Sequence, residues 1–446
     1  MDTLIQVSQL ILMLSILVIL HEFGHYITAK MFKVRVEKFY LFMDAGFSLI
    51  KKKIGETEWG IGWLPLGGYV KLSGMIDESM DTEQLKSEPQ PYEFRSKPAW
   101  QRLIIMLGGI IVNILLAWLI YSVVFSTYGK KYISTNVTQE NGLAFGETGK
   151  KVGFKDGDKI IEADGKFQPR FNWMQLDVLL GDKIVVEREG KKVDIRLSDD
   201  DLKLILETEG RDFMHPWVKS IVVDSVGAET NAAKGGLKVG DQLVSVNGKE
   251  HRYMGQLNEE AYKNREGQKR SGKIDVGVLR NGQPLNLTIA VDSLGKIGMK
   301  QGPAVEKEYR VTEHYSFFGA IPEAMKESYD LIVYNIKQFK LILRPSTGAY
   351  KQVTSVVGIA TKLPTEWNWE FFWNFTALFS IGLAFMNILP IPGLDGGHAI
   401  FTIAEMITGR KLGDKAAGIV QTVGMVILLS LMALVFGKDI YQLIVG

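Results

Sequence analysis

"LSILVILHEFGHYITAK", residues 14–30, joins two segments with opposite demands. The first half is an apolar run suited to hydrocarbon. The second, from His21, spells HExxH, a zinc-hydrolase spacing whose chemistry consumes water. The apolar half belongs to Thr3–Leu20, which carries no Asp, Glu, Lys or Arg. Three more such stretches follow: Leu103–Phe125, Phe371–Leu394 and Gly418–Gly437. Each has the roughly 18 or more residues that a helix needs to cross about 30 Å of hydrocarbon. One run alone could be a buried core helix; four in one chain predict a polytopic α-helical membrane protein. The first run lacks a basic leader and an A-x-A-like site, so a retained span is expected rather than a cleaved signal.

Bulk properties narrow the rest. Basic and acidic residues nearly balance, 52 against 50 in 446, which gives no basis for nucleic-acid binding. With no cysteine there are neither disulfides nor thiolate zinc sites, so any metal must be held by His, Asp or Glu. Twelve Lys or Arg lie between Lys30 and Arg102, including Lys51, Lys52 and Lys53, and the last loop has Arg410, Lys411 and Lys415. By the bias of basic residues, both loops are cytoplasmic. The termini and the long middle, about 128–370, are then outside.

That middle contains a repeat. KVGFKDGDKIIEADGK (151–166) and KGGLKVGDQLVSVNGK (234–249) align without gaps with seven of sixteen positions identical. Each reads as a Gly-Asp turn, a short apolar strand and a Gly turn, followed downstream by a strand pair around REG (188–190) or RNG (280–282). A repeat of roughly 80 to 90 residues suits a small domain better than a solenoid unit. Beyond Glu306, the stretch SFFGAIPEAMKESYDLIVYNIKQFKLIL has the three-to-four spacing of an amphipathic helix. Phe317, Ile321, Met325, Leu331 and Ile332 suit a face lying against the membrane or the repeat modules, with a core helix of the soluble part as the alternative.

HEFGH puts His21 and His25 four apart, on one face of a helix, where both imidazoles reach one metal. Glu22 beside them suits the proton transfer from a water that zinc brings to a pKa of about 7. Continued as a helix, the first span carries His21 about 27 Å from its start at 1.5 Å per residue. Ionisable groups at such depth face an interior and serve a function; a helix ending at His21 would instead leave the spacing a coincidence. A catalytic zinc takes three protein ligands and keeps one open position. The local sequence offers no third: Met31 stands where a metzincin has histidine, and His215, His251 and His314 belong to the outer region. "NILPIPGLDGGH" (387–398) ends the third stretch, and its prolines and glycines should unwind it. The first and third spans run the same way, so Asp395 falls at the depth of HExxH and is the expected third ligand. His398 competes from farther along. Asn387 could bond an extended substrate backbone or a neighbouring helix.

HExxH on the first span, N-x-x-P-x-x-x-L-D-G on the third and the "GLKVGDQLVSVNGK" stretch, which resembles bacterial PDZ domains, together resemble the site-2 protease family. Four spans with two outer PDZ-like domains are similar to its regulator-of-sigma-E branch. The resemblance covers nearly the whole chain. It implies zinc held by His21, His25 and Asp395, with Glu22 as general base and Asn387 holding substrate. It also implies that KVRVEKFYLF…EWGIGWLPLGGYVKL (33–72) forms a β-loop near the site, where Gly67 and Gly68 meet substrate. Gly108, Gly109 and Asn113 resemble the family's small-residue motif, with a packing or a substrate role. The chain departs from the family at "YLFMDAGFSLI", "GGIIVN" and "VVGIA", where Gly-Pro-type motifs are common.

The expected architecture is therefore four transmembrane helices with a membrane-associated β-loop, carrying two tandem PDZ-like α+β domains. Residues 1–127 and 369–446 form the two halves of the protease core. Residues 128–212 and 213–303 form the PDZ-like domains, and 304–368 an amphipathic connector. The expected activity is zinc-dependent cleavage of single-span membrane proteins in a bacterial inner membrane, after a first cut elsewhere. Anti-sigma factors and remnant signal peptides are the substrates the resemblance implies. Lipid and chain ends at the PDZ-like domains are further expected partners. The rival readings are a scaffold that only binds chain ends, and a metal transporter.

Overall fold

A single helix, Asp2–Met31, carries both halves of residues 14–30. It runs well past His21, so HExxH is helical throughout and does not mark a frayed end. The helix stops where Lys33 takes a left-handed φ of 55° and the Val34 amide bonds back to the Ala29 carbonyl at 2.9 Å. The computed structural model describes all residues except 1, 66, 76–87, 209, 211, 219, 254, 267–271, 293–294, 304–309, 411–412 and 446. Lys411 and the first residues of the 304–368 connector thus lie outside the described residues.

Among the described residues, four helices are long and apolar enough to span a membrane: Thr3–Met31, Ala99–Thr127, Trp369–Ile388 and Gly418–Tyr441. They coincide with the four uncharged stretches. The chain divides into two compact units, and the spans all belong to the first (residues 1–129, 314–336 and 353–446). First and second spans cross at glycines: a Cβ on Gly24 would lie 2.3 Å from the Gly108 carbonyl oxygen. Backbones this close need small residues, the usual device of membrane helix pairs. The fourth span leaves Ile427, Leu431 and Leu434 exposed, a face that needs hydrocarbon rather than water.

Residues 36–72 form a four-stranded sheet between the first two spans, with strands β1 (Val36–Leu41), β2 (Met43–Ile54), β3 (Thr57–Leu64) and β4 (Tyr69–Leu72). The order is β2-β3-β1-β4. β1 runs parallel to β3 and antiparallel to β4, so β4 is an edge strand of the sheet.

Helix Phe317–Ile342 forms where expected, and it meets the spans through its small residues. Phe317 and Met325 are exposed, whereas Ala320, Ala324 and Ser328 are buried. Ala320 and Ala324 share a core with Ala117, Tyr121, Ala377 and Ile381 of the second and third spans, where Leu331 and Ile332 pack only at its margin. Helix axes that approach closely select small side chains, which overrides the spacing of the larger ones.

The second unit (residues 130–313 and 337–352) contains the repeat as two modules. The first has an antiparallel sheet of Lys159–Ala163, Ile184–Arg188 and Lys191–Ile195. The second has a six-stranded sheet whose hairpin, Lys273–Arg280 and Gln283–Ala290, matches the first module's. Identical residues do identical work in both. Arg188 grips Asp158 through two bonds of 2.7 and 2.8 Å and also reaches the Gly153 carbonyl. Arg280 does the same to Asp241 at 2.7 Å and to Gly236. The Asp164-Gly165 and Asn247-Gly248 turns share positive φ at both residues (49° and 72°, 50° and 75°), which explains their residue types.

The second module also hides a titratable group. His251 is buried with neither ring nitrogen hydrogen-bonded among the described residues, and burial pushes its pKa down to about 4. An unfolded imidazole takes its proton near 6.5. Above that pH both states are neutral; as pH falls from about 6.5 to about 4 only the unfolded state binds the proton, so stability falls. The expected loss is about 3 kcal/mol at 1.36 kcal/mol per unit. Amide exchange in Lys273–Ala290, corrected for intrinsic rates, should accelerate over this range, and His251→Leu should remove the acceleration.

Candidate metal centre

Three donor atoms converge from the ends of two spans. Asp395 Oδ2 is 3.2 Å from Nε2 of His21 and 3.2 Å from Nε2 of His25, and the two Nε2 atoms are 3.3 Å apart. Both histidines are buried. Among the described residues this is the one group of His, Cys, Asp or Glu that converges as metal ligands do. His398, in the same helix turn as Asp395, is not part of it.

The donor set fits zinc. Bonds of about 2.0–2.1 Å to N and O in a tetrahedral site place neighbouring ligand atoms about 3.3 Å apart. The protonation pattern agrees. His25 Nδ1 lies 2.9 Å from the Ile105 carbonyl, which can only accept, so Nδ1 carries the proton and Nε2 presents its lone pair. Asp395 Oδ2 is buried without a hydrogen-bond partner among the described residues. Three lone-pair atoms facing one another repel unless a cation joins them.

The "NILPIPGLDGGH" stretch delivers Asp395 as expected. The third span ends at Ile388, residues 389–394 are non-helical, and a helix over Asp395–Thr408 follows. The fold-back is tight: a Cβ on Gly396 would lie 2.2 Å from the Leu389 carbonyl oxygen. Gly424 of the fourth span helix abuts Pro392 in the same way and supports the loop. An ion pair between buried Arg102 and half-buried Glu405 anchors the new helix to the second span helix. This helix was not foreseen, although its acidic first residue and apolar spacing were present in the sequence.

The other sequence candidates divide. Asn387 Nδ2 sits 3.3 Å from His21 Nε2. The Val70 amide of β4 bonds the half-buried Glu22 carboxylate. Gly68 is wedged there, since its Cβ would meet the Tyr40 carbonyl at 2.6 Å, Val18 at 2.7 Å and Glu22 at 3.3 Å. Gly67 stands apart, with φ +144° and open space around its Cβ position. Asn113 is fully buried, with its amide nitrogen 3.1 Å from His21 Nδ1. Sequence reading missed the Ile105 carbonyl, a backbone group that no residue pattern reveals. It also left Gly109 without a specific task. A Cβ there would lie 2.5 Å from His25 Nε2 and 2.6 Å from His21 Cε1. Gly109→Ala should therefore displace both imidazoles. Shifts near 1 Å cost about 100-fold in rate, and bound zinc should fall in parallel. Gly382→Ala, with nothing within 4 Å of the added atom, is the neutral control in the same assays.

Known proteins resemble this chain over nearly its whole length. The chain is 27% identical over 463 residues to the regulator of sigma-E protease RseP of Escherichia coli, covering 98% of each chain. It is 26% identical over 461 residues to the regulator of sigma E protease of Salmonella typhi, covering 97% of this chain and 98% of that one. A Vibrio cholerae protein that carries the name of a zinc metalloprotease is 29% identical over 467 residues, with 97% and 98% covered. The family model of peptidase family M50 matches residues 9–431. That match decides for an enzyme over a scaffold or a transporter, and with HExxH and Asp395 at one point it places the chain in peptidase family M50, the site-2 type of zinc metalloprotease.

Proposed function

We propose that this chain is an intramembrane endopeptidase of a bacterial inner membrane, cutting single-span proteins at the His21–His25–Asp395 centre. The observation that carries the reading is the meeting of three ligand atoms at 3.2–3.3 Å, two on a helix of membrane-spanning length and the third just beyond the end of another. His21, His25 and Asp395 would hold zinc, which when bound would polarise the scissile carbonyl and acidify water. Glu22 takes the proton of the attacking water and returns it to the leaving nitrogen. A substrate helix hides its carbonyls until it unwinds. Asn387 and the edge strand β4, entered through Gly67 and Gly68, take up the backbone groups so released.

The remaining assignments belong to the same reading. The HExxH end of the first span faces the cytoplasm, with the termini and the repeat modules outside. Residues 128–212 and 213–303 are PDZ-like domains that select chains already trimmed by another protease. The Escherichia coli and Salmonella typhi relatives are named regulators of sigma E; membrane-anchored anti-sigma factors are accordingly one substrate class, and remnant signal peptides a second. The test uses vesicles holding the protein with a single-span substrate whose outer domain is intact or removed. Mass spectrometry of the products should place the cut inside the apolar span, in the trimmed form only. A cut confined to residues outside the span would remove the intramembrane reading, and equal cleavage of both forms would remove the selection.

A further inference from the structure

The second span helix faces the metal centre with a stripe of three residues one turn apart: Ile105, Gly109 and Asn113. Ile105 accepts the Nδ1 proton of His25 at 2.9 Å. Gly109 has no side chain, and both imidazoles lie where one would be. Asn113 stands against Nδ1 of His21 at 3.1 Å, with no exposure to solvent. Its backbone is fixed from the other side, since Ser380 Oγ donates to the Asn113 carbonyl at 2.7 Å. Asn113 Oδ1 is buried and has no partner among the described residues. A side chain so enclosed has no path to a substrate, which argues against the substrate role first considered for it.

We propose that Asn113 is a positioning residue: its side-chain carbonyl accepts the Nδ1 proton of His21 and so presents Nε2 to the metal. The argument is one of donors and acceptors. His21 Nε2 faces His25 and Asp395, so binding metal there requires the proton on Nδ1. An N–H cannot bond an amide NH2. A half-turn of the amide exchanges its nearly isosteric ends, gives Nδ1–H an acceptor and satisfies the orphaned oxygen. The opposite arrangement would place a proton on Nε2, pointing at the metal position and at the Asn387 Nδ2 donor 3.3 Å away. The second span then holds both zinc histidines in one tautomer, one through a main-chain carbonyl and the other through an amide. Outer partners of this kind typically carry 10- to 100-fold in metal affinity.

The inference rests on the zinc-site reading, and the test separates the two. Full-length protein in detergent is titrated with zinc against a competing chelator, for wild type, Asn113→Asp, Asn113→Leu and His21→Ala. Asn113→Leu, close to Asn in shape, should bind zinc about 10- to 100-fold more weakly. Asn113→Asp, which keeps an acceptor at the same place, should stay near wild type. The visible bands of the cobalt-loaded protein should change in the Leu variant and persist in the Asp variant. Where Leu prevents folding, Asn113→Ala carries the same comparison. Zinc lost in His21→Ala but undiminished in Asn113→Leu would overturn the Asn113 role alone, as would an Asp variant as weak as the Leu variant. Zinc retained in His21→Ala would remove the metal-site reading and this role with it.

Discussion

Glu22→Gln should keep its zinc and lose its activity. Gln fills the same space but cannot take a proton, and removing a positioned general base costs about 100- to 10,000-fold. Glu22 is not among the three converging donors, so metal content should not change. The side chain is half-buried, held by the Val70 amide and backed by Gly68. That setting serves a carboxylate aimed at one point better than a freely solvated one. Initial cleavage rates compared at equal bound zinc would check this. A variant retaining more than about a tenth of wild-type rate would exclude Glu22 as the base, because that loss lies below the range for general-base removal.

Asp395→Ala should have the opposite signature, losing zinc and activity together. It removes the one anionic donor and leaves two imidazoles, fewer than the three protein ligands of a catalytic zinc site. The expected fall in affinity exceeds the roughly 10- to 100-fold that accompanies loss of an outer partner. His398→Ala is the informative companion, since His398 shares the Asp395 helix without joining the cluster. Metal analysis after dialysis against chelator should show zinc near zero for Asp395→Ala and near wild type for His398→Ala. The reverse pattern would transfer the third-ligand role to His398.

Much of this was legible in the sequence because two strong constraints act on it. Hydrocarbon demands long uncharged runs, so the four spans stand out and their direction follows from counting crossings. Metal chemistry demands particular side chains at one depth, so HExxH and Asp395 could be paired across most of the chain. The repeat was legible for a similar reason: Gly153, Asp158 and the Arg188 of REG recur as Gly236, Asp241 and Arg280, tied by the same bonds.

What escaped reading was decided by contact. The packing face of Phe317–Ile342 is its Ala320–Ala324–Ser328 row, because the second span comes too close for Phe317 or Met325. The parallel pairing of β1 with β3 has no local signal, since alternation in a strand does not name its neighbour. The Ile105 carbonyl and the cradle at Gly109 depend on where two helices cross, and only the assembled spans reveal that.

The most direct measurement is a zinc-edge anomalous difference map from crystals of the purified wild-type protein. The account predicts one peak per chain, about 2.0–2.1 Å from Nε2 of His21, Nε2 of His25 and a carboxylate oxygen of Asp395. A peak held by His398 in place of Asp395, or no zinc at HExxH, would contradict it.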